Sequence, residues 1–262
     1  MTRLALIHIL IEMLLNDMPE FRSQAARVDG DASSQRLLLR SLMNLRPPAP
    51  LTEEFLDLQD QLLLAEREER GVVDASALLT AAGGQTALWR GDMTQLAADA
   101  IVNAANSSLL GCFHPCHRCI DNAIHSAAGL QLREECHQIM QRQGRAEPAG
   151  KAKITKAYNL PSRHVIHTVG PIIQGEPSEN DCALLASCYR ACLELAEANK
   201  LRSIAFCCIS TGEFHFPREA AARIAVDTVN RYRQTNNSPI EVIFDVFQTS
   251  DEEIYRRLLP TG

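Results

Sequence analysis

The absences in this chain narrow its class first. Its 262 residues contain no run of about 18 apolar residues, so the sequence offers no helical membrane crossing and a soluble chain is expected. Nor is there an excess of positive charge. With 26 Lys and Arg against 32 Asp and Glu the formal net charge is -6, which argues against a general nucleic-acid binder, whose affinity needs a basic surface. Only a local basic cleft stays compatible with that balance. An even set of cysteines is missing too: nine is an odd number, and a disulfide framework is not expected in a long chain without an export signal. A reduced, cytoplasmic setting is predicted. The one leader-like segment, MTRLALIHILIEMLLND, is interrupted by His8 and Glu12 and is followed by no small-residue cleavage site. Its apolar positions continue at helical spacing, so a buried helix is expected there.

What is present is an ordinary globular composition, 46% hydrophobic and 22% charged, in a chain long enough for one to two domains at about 150 residues each. Residues 1 to about 70 read as helical: a first helix to Asp17, a second over Gln35 to Leu45 and a third over Glu53 to Glu69. "RPPAP" at Arg46 to Pro50 cannot continue a helix, and Thr52, with Glu54 just inside, begins the next one with a cap and dipole-favouring acids. No chemistry-bearing cluster shows here, so packing is the account of this helical extension. After "AAGG" at Ala81 to Gly84 the pattern becomes short β-rich runs alternating with helices, the mark of a layered α/β domain. Strands are predicted over 86–90, 100–103, 153–155, 164–168, 203–209 and 241–247. Helices are predicted over 120–128, 130–144, 181–199, 217–235 and 250–259, the last capped by Ser250.

Three strand-to-helix loops concentrate glycine and polar residues at strand ends, where open α/β sheets bind ligands. They are "RGDMT", "NAANSSLLGCFHPCHRCIDN" and "CISTGEFHFP". In the third, an apolar strand runs into Ser210, Thr211 and Gly212 before a helix at Pro217. The N–H groups of such a turn, with the helix dipole, hold phosphates without any lysine, although the same pattern also describes a plain turn. The second loop is more specific. Cys112, His117 and Cys119 form C-x4-H-x-C, two thiolates and an imidazole suited to Zn(II), with a fourth position open to water or substrate. Two other readings stay open: a structural clip completed by Cys116 or His114, and a metal-free loop of reactive thiols.

Together these segments resemble the zinc-dependent macrodomains that act as protein ADP-ribosyl hydrolases. "RGDMT" is similar to their G-D-[IL]-T element and "AIVNAAN" to their asparagine-rich second strand and loop; "LGCF" with "H-x-C-IDN-x-IH-x-AAG" is similar to their zinc-binding insertion. "KAKIT", "YNLP", "VIHTVGP" and "CISTGEFHFP" resemble later blocks. In ordinary hydrolytic macrodomains a glycine run precedes the segment equivalent to Ile120 to Asn122; the C-x4-H-x-C loop stands there instead. The resemblance runs from about residue 86 to the end. It implies a three-layer α/β/α mixed sheet over 81–262, a helical extension over 1–80, and one zinc ion per chain.

The resemblance also implies roles. Asp92 accepts from the adenine amine and the Met93 backbone N–H contacts a ring nitrogen. Asn106 binds distal-ribose hydroxyls and, with Asp121, forms the catalytic pair; Ile120 and Asp121 line the same site. Ser210, Thr211, Gly212, Glu213 and Phe214 wrap the diphosphate, with Gly212 expected to need a positive φ or close ligand approach. Phe247 is placed beside adenine. Local structure offers second roles: Asp92 and Asp121 as helix N-caps, Asn106 in an Asx turn, and His125 as a hydrogen-bonded structural histidine. The implied reaction is cleavage at C1 of the distal ribose, from a mono-ADP-ribosylated protein to free ADP-ribose. The metal there either activates water or coordinates a ribose hydroxyl; two thiolates favour substrate positioning, with Asp121 assisting. The resemblance further suggests that bacterial members reverse a modification placed on a lipoyl-carrier protein by a sirtuin-like transferase. Neither nucleic acid nor membrane is an expected partner. The competing classes are a reader that captures ADP-ribose around a structural zinc, and a structural zinc protein with a partner-binding helical arm.

Overall fold

The computed structural model describes residues 1–259; positions 260–262, the end of the predicted second domain, lie outside the described residues. Helices come first. They are α1 (Arg3–Asp17), the single turn α2 (Arg22–Ala25), α3 (Ala32–Leu45) and α4 (Glu53–Arg70). Thr2, Asp31 and Thr52 cap α1, α3 and α4 through side-chain oxygens, and α3 stops at Arg46 because Pro47 and Pro48 follow. Leu6, Leu10 and Leu14 of α1 meet Leu39 and Leu42 of α3 and Leu62 and Leu63 of α4 in a core of their own, which Leu130 completes. Each such leucine contributes about 1.5–3 kcal/mol by leaving water.

β1 (Val73–Asp74) and α5 (Ala75–Ala82) precede β2 (Thr86–Arg90). The sequence assigns residues up to 80 to the extension, but Ala75 and Leu79 pack into the core of the sheet domain. The chain continues through β3 (Leu96–Ala97), β4 (Ala100–Ala104), α6 (Ile120–Ala128), α7 (Leu130–Gln143), β5 (Ala152–Lys156) and β6 (His164–Thr168). It ends with α8 (Glu179–Ala198), β7 (Ser203–Phe206), α9 (Arg218–Asn236), β8 (Glu241–Val246) and α10 (Thr249–Leu258). Six strands form one sheet in the order β2-β8-β7-β4-β6-β5, parallel except for β5 against β6, while β1 and β3 pair separately. This is the expected mixed sheet between helices. Its inner strands are apolar on both faces, as parallel strands covered by helices must be: Ile101, Val102, Ile204, Val242 and Ile243 are fully buried.

Register positions the site. Arg90 pairs with Val246 and Ala104 with Thr168, so neighbouring strands finish level and the loops after β2, β4 and β7 open at one edge. Two local expectations are corrected. β7 stops at Phe206, short of Ile209, because the chain turns and Ser210 takes a left-handed φ of 65°. Ser250 is not the cap of α10: the helix starts at Thr249, and the Ser250 hydroxyl instead accepts from Arg218, which also pairs with buried Asp251. Among the described residues no helix is long and apolar enough to cross a membrane. All nine cysteines are free, and Cys136, Cys188, Cys192 and Cys207 sit in the core as small hydrophobes.

Candidate active site and metal centre

The loop between β4 and α6 brings the three predicted ligands together. The sulfurs of Cys112 and Cys119 and a ring nitrogen of His117 lie within 4.8 Å of one another, with Cys112 Sγ 3.6 Å from His117 Nδ1. His117 Nε2 faces Glu213 Oε1 at 3.5 Å, an outer partner of the kind that orients a ligating imidazole. Cys119, rather than Asp121, caps α6: its sulfur accepts from the Asn122 N–H at 3.4 Å. Burial, opposed by that N–H but reinforced by Cys112 and Asp121, pushes the Cys119 thiol up to about 12. A divalent cation reverses that balance, and the half-buried soft donors fit Zn(II). Cys116 turns away, its sulfur 3.3 Å from Ser41 Oγ and donating to the Leu37 carbonyl at 3.6 Å. The His114 ring stands 5.8 Å from that of His117.

Beside the loop, Asp121 is almost buried in the first turn of α6. Its Oδ1 accepts from Asn103 Nδ2 at 2.7 Å and its Oδ2 from Asn106 Nδ2 at 3.3 Å. The local role expected of Asn106 is present: its Oδ1 closes an Asx turn on the Ser108 N–H, while Nδ2 donates to Asp121 and to the Gly111 carbonyl. Asn103 is a residue that sequence reasoning passes over; its signal is a polar side chain in the apolar strand β4. Burial pushes the Asp121 carboxyl up to about 6, against the Asn103 hydrogen bond and the Arg133 charge.

Behind Asp121 lie His125 and His167, both driven by burial well below the ordinary imidazole range and therefore neutral, His167 at about 3. His125 is not the hydrogen-bonded histidine expected. Its ring nitrogens have no hydrogen-bond partner among the described residues, Nε2 standing 3.5 Å from Asp121 Oδ1. The ring instead fills the space over Gly111, where a Cβ would come within 2.8 Å; with φ at +82° this position requires glycine.

The third loop faces the second across the His117–Glu213 contact. Phe216 N–H donates to Ser210 O at 2.9 Å and Ile173 N–H to Phe214 O at 2.8 Å, which fixes the turn through its backbone. Among the described residues nothing accepts from the N–H groups of Gly212, Glu213 or Phe214, the array an anion needs. The expectation for Gly212 is corrected in part: its φ is not left-handed and an added Cβ meets no protein atom within 4 Å. The crowded glycine is Gly170, where a Cβ would lie 1.9 Å from Ser210 Oγ.

At the other end, Asp92 caps the short turn Met93–Gln95, its Oδ1 accepting from the Thr94 N–H at 2.9 Å, while Oδ2 lies 3.6 Å from Arg70 of α4. Met93 buries its side chain, and Ile120 and Phe214 pack half-buried on the core. Phe247 is 79% exposed at the end of β8, one strand over from Asp92.

The Macro domain family matches residues 102–225. A protein-ADP-ribose hydrolase of Treponema medium is 50% identical over 253 residues, covering 95% of this chain and 96% of its own. The chain belongs to the macrodomain family. A protein-ADP-ribose hydrolase of Staphylococcus aureus is 46% identical over 249 residues, covering 94% of this chain and 93% of its own. Among solved structures, the Trypanosoma brucei macrodomain in complex with ADP-ribose matches with a TM-score of 0.65 at 31% identity, over 84% of this chain and 95% of that one. The match to the Treponema protein takes in the helical extension of this macrodomain as well as its sheet domain.

Proposed function

We propose that this macrodomain is a zinc-dependent hydrolase that frees mono-ADP-ribose from modified protein side chains, breaking the bond at C1 of the distal ribose. The observation that carries the reading is the convergence of Cys112, His117 and Cys119 between the Asn106–Asp121 pair and the 210–214 loop. Relatives named protein-ADP-ribose hydrolases, and a related fold solved with ADP-ribose, support the class of reaction.

In this scheme Asp92 takes the adenine amine on its outer oxygen, the Met93 N–H takes a ring nitrogen, and Phe247 lies against the base. The free N–H groups of Gly212, Glu213 and Phe214 hold the diphosphate, with Ser210 and Thr211 shaping the turn. Ile120 walls the ribose, whose hydroxyls Asn106 orients. Cys112, His117 and Cys119 hold one zinc ion per chain, which supplies Lewis acidity at the sugar end of the site. Asp121, clamped between Asn103 and Asn106, holds the proton taken from water as the C1 bond to the target protein breaks; water adds to the sugar and the protein side chain leaves. The substrate is a mono-ADP-ribosylated protein in the cytoplasm, a lipoyl carrier being the target to assay first.

Zinc content and turnover test this together. Wild type is expected to hold one equivalent. Cys119→Ala should lose zinc and about a thousandfold in turnover, the several kcal/mol a metal supplies at about 1.4 per tenfold, while ADP-ribose binding by calorimetry stays within about threefold. A folded, zinc-free Cys119→Ala protein with full turnover overturns the scheme. Tight ADP-ribose binding by wild type with no release from any modified target would make it a reader.

A further inference from the structure

We propose that the helical extension is a positioning device for the metal loop, with α3 holding residues 110–119 in their ligating shape through a buried polar relay centred on Asn44 and Asn122. This rests on the zinc reading of the loop. Within residues 112–119 the described backbone makes one bond to itself, His117 N–H to His114 O at 3.3 Å, so the shape of the loop has to come from outside.

It comes from α3. Asn44, 1% exposed, accepts from the Cys116 N–H at 2.9 Å and donates to Ser126 Oγ at 3.0 Å. Ser126 donates to Asn122 Oδ1 at 3.2 Å, and Arg40 Nη2 donates to the same oxygen at 2.8 Å. Asn122, fully buried, passes the order on to the loop through Nδ2, which donates to the His114 carbonyl at 3.0 Å. Ser41 meets the Cys116 sulfur. Arg133, buried on α7, ties the same two parts from below: it donates to Met43 O and Arg46 O at the end of α3 and to Leu110 O at the start of the loop. Its guanidinium also lies 4.5 Å from the centre of the Phe113 ring. The loop is thus gripped at 110, 113, 114 and 116, leaving the three ligands facing inward. Three donors held in place lose less freedom when an ion binds, so the grip raises affinity for it. Asn44, Ser41 and Arg40 are positioning residues and touch no reacting atom.

Amide exchange on the full chain, before and after chelation, tests the grip, alongside zinc competition with a chromophoric chelator. Asn44→Ala is expected to speed exchange of the 112–119 amides at least about tenfold, with β4, β6 and α9 unchanged, and to lower zinc affinity about tenfold, because the three donors must then be ordered when the ion binds. Asn44→Asp keeps the acceptor for Cys116 N–H and should recover most of both. If Asn44→Ala does not fold, Ser41→Ala gives the same readout in milder form. Unchanged loop exchange, or equal acceleration in every element, overturns the proposal. A wild-type chain that takes up no zinc instead removes the zinc-dependent scheme, and the exchange data still decide the grip.

Discussion

The proposed metal loop and the proposed phosphate loop face each other across the His117–Glu213 contact and are held by different means. Side chains from α3, α6 and α7 grip the first, several of them more than 70 residues away in sequence. The second is shaped by its own backbone bonds and by the space Gly170 leaves for Ser210. A loop held by distant side chains can be re-aimed by one substitution far from the chemistry. One held by its backbone tolerates most side-chain changes and fails at glycine or left-handed positions.

Acid should separate the two most strongly. His125 and His167, behind the metal loop, are neutral in the folded protein because burial lowers their pKa, whereas an unfolded histidine titrates near 6.5. Below about 6.5 the unfolded chain therefore binds more protons, so stability is complete above that pH and falls as pH drops toward about 3. Asp121, raised to about 6, works the other way below that value and cancels part of the loss. Under the phosphate loop burial keeps Cys207 and Cys208 as neutral thiols, which do not titrate in acid. Urea unfolding is expected to show a loss of about 2–4 kcal/mol between pH 7 and pH 5, with the pH slope reduced by up to about one proton in His167→Gln. An unchanged slope in that variant would show that His167 is not the group responsible.

A smaller effect sharpens the contrast from the phosphate side. Gly170→Ala forces the buried Ser210 hydroxyl aside and should cost about 1–2 kcal/mol of stability, weakening ADP-ribose binding in calorimetry while zinc content stays at wild-type level. Loss of zinc would mean that the two loops are coupled more tightly than their separate supports imply. Gly212→Ala is the smallest change: stability within about 0.5 kcal/mol of wild type by urea unfolding, since nothing in the protein meets the new methyl. Any fall in ADP-ribose affinity there measures how closely the ligand approaches that backbone.

Much of the fold is legible in the sequence. Strands 86–90 and 164–168 and the helix 120–128 are read to the residue, because alternation, caps and glycine or proline breaks are local signals. The same locality explains the misreadings. Ser250 has the form of a cap, but Arg218, from another helix, takes its hydroxyl. Gly212 looks constrained in a Ser-Thr-Gly turn, whereas the strain sits on Ser210 and the crowding at Gly170, 40 residues upstream by number. Of the candidate site, the juxtaposition of Cys112, His117 and Cys119, and that of Asn106 with Asp121, can be anticipated from spacing and family likeness. Asn103, Gly111 and Gly170 cannot, since each matters only through a neighbour that folding supplies.

Residue order alone placed two thiols and an imidazole in one short segment, because eight residues cannot spread their donors far, and it set which stretches become strands and helices. Folding alone decided what those donors rest against. Asn44 reaches the Cys116 amide across 72 positions of chain, and His117 reaches Glu213 across a further loop. Such contacts arise from strand order and from burial of the leucine-lined helices against α6 and α7, and a one-dimensional pattern carries no record of which buried polar groups will meet.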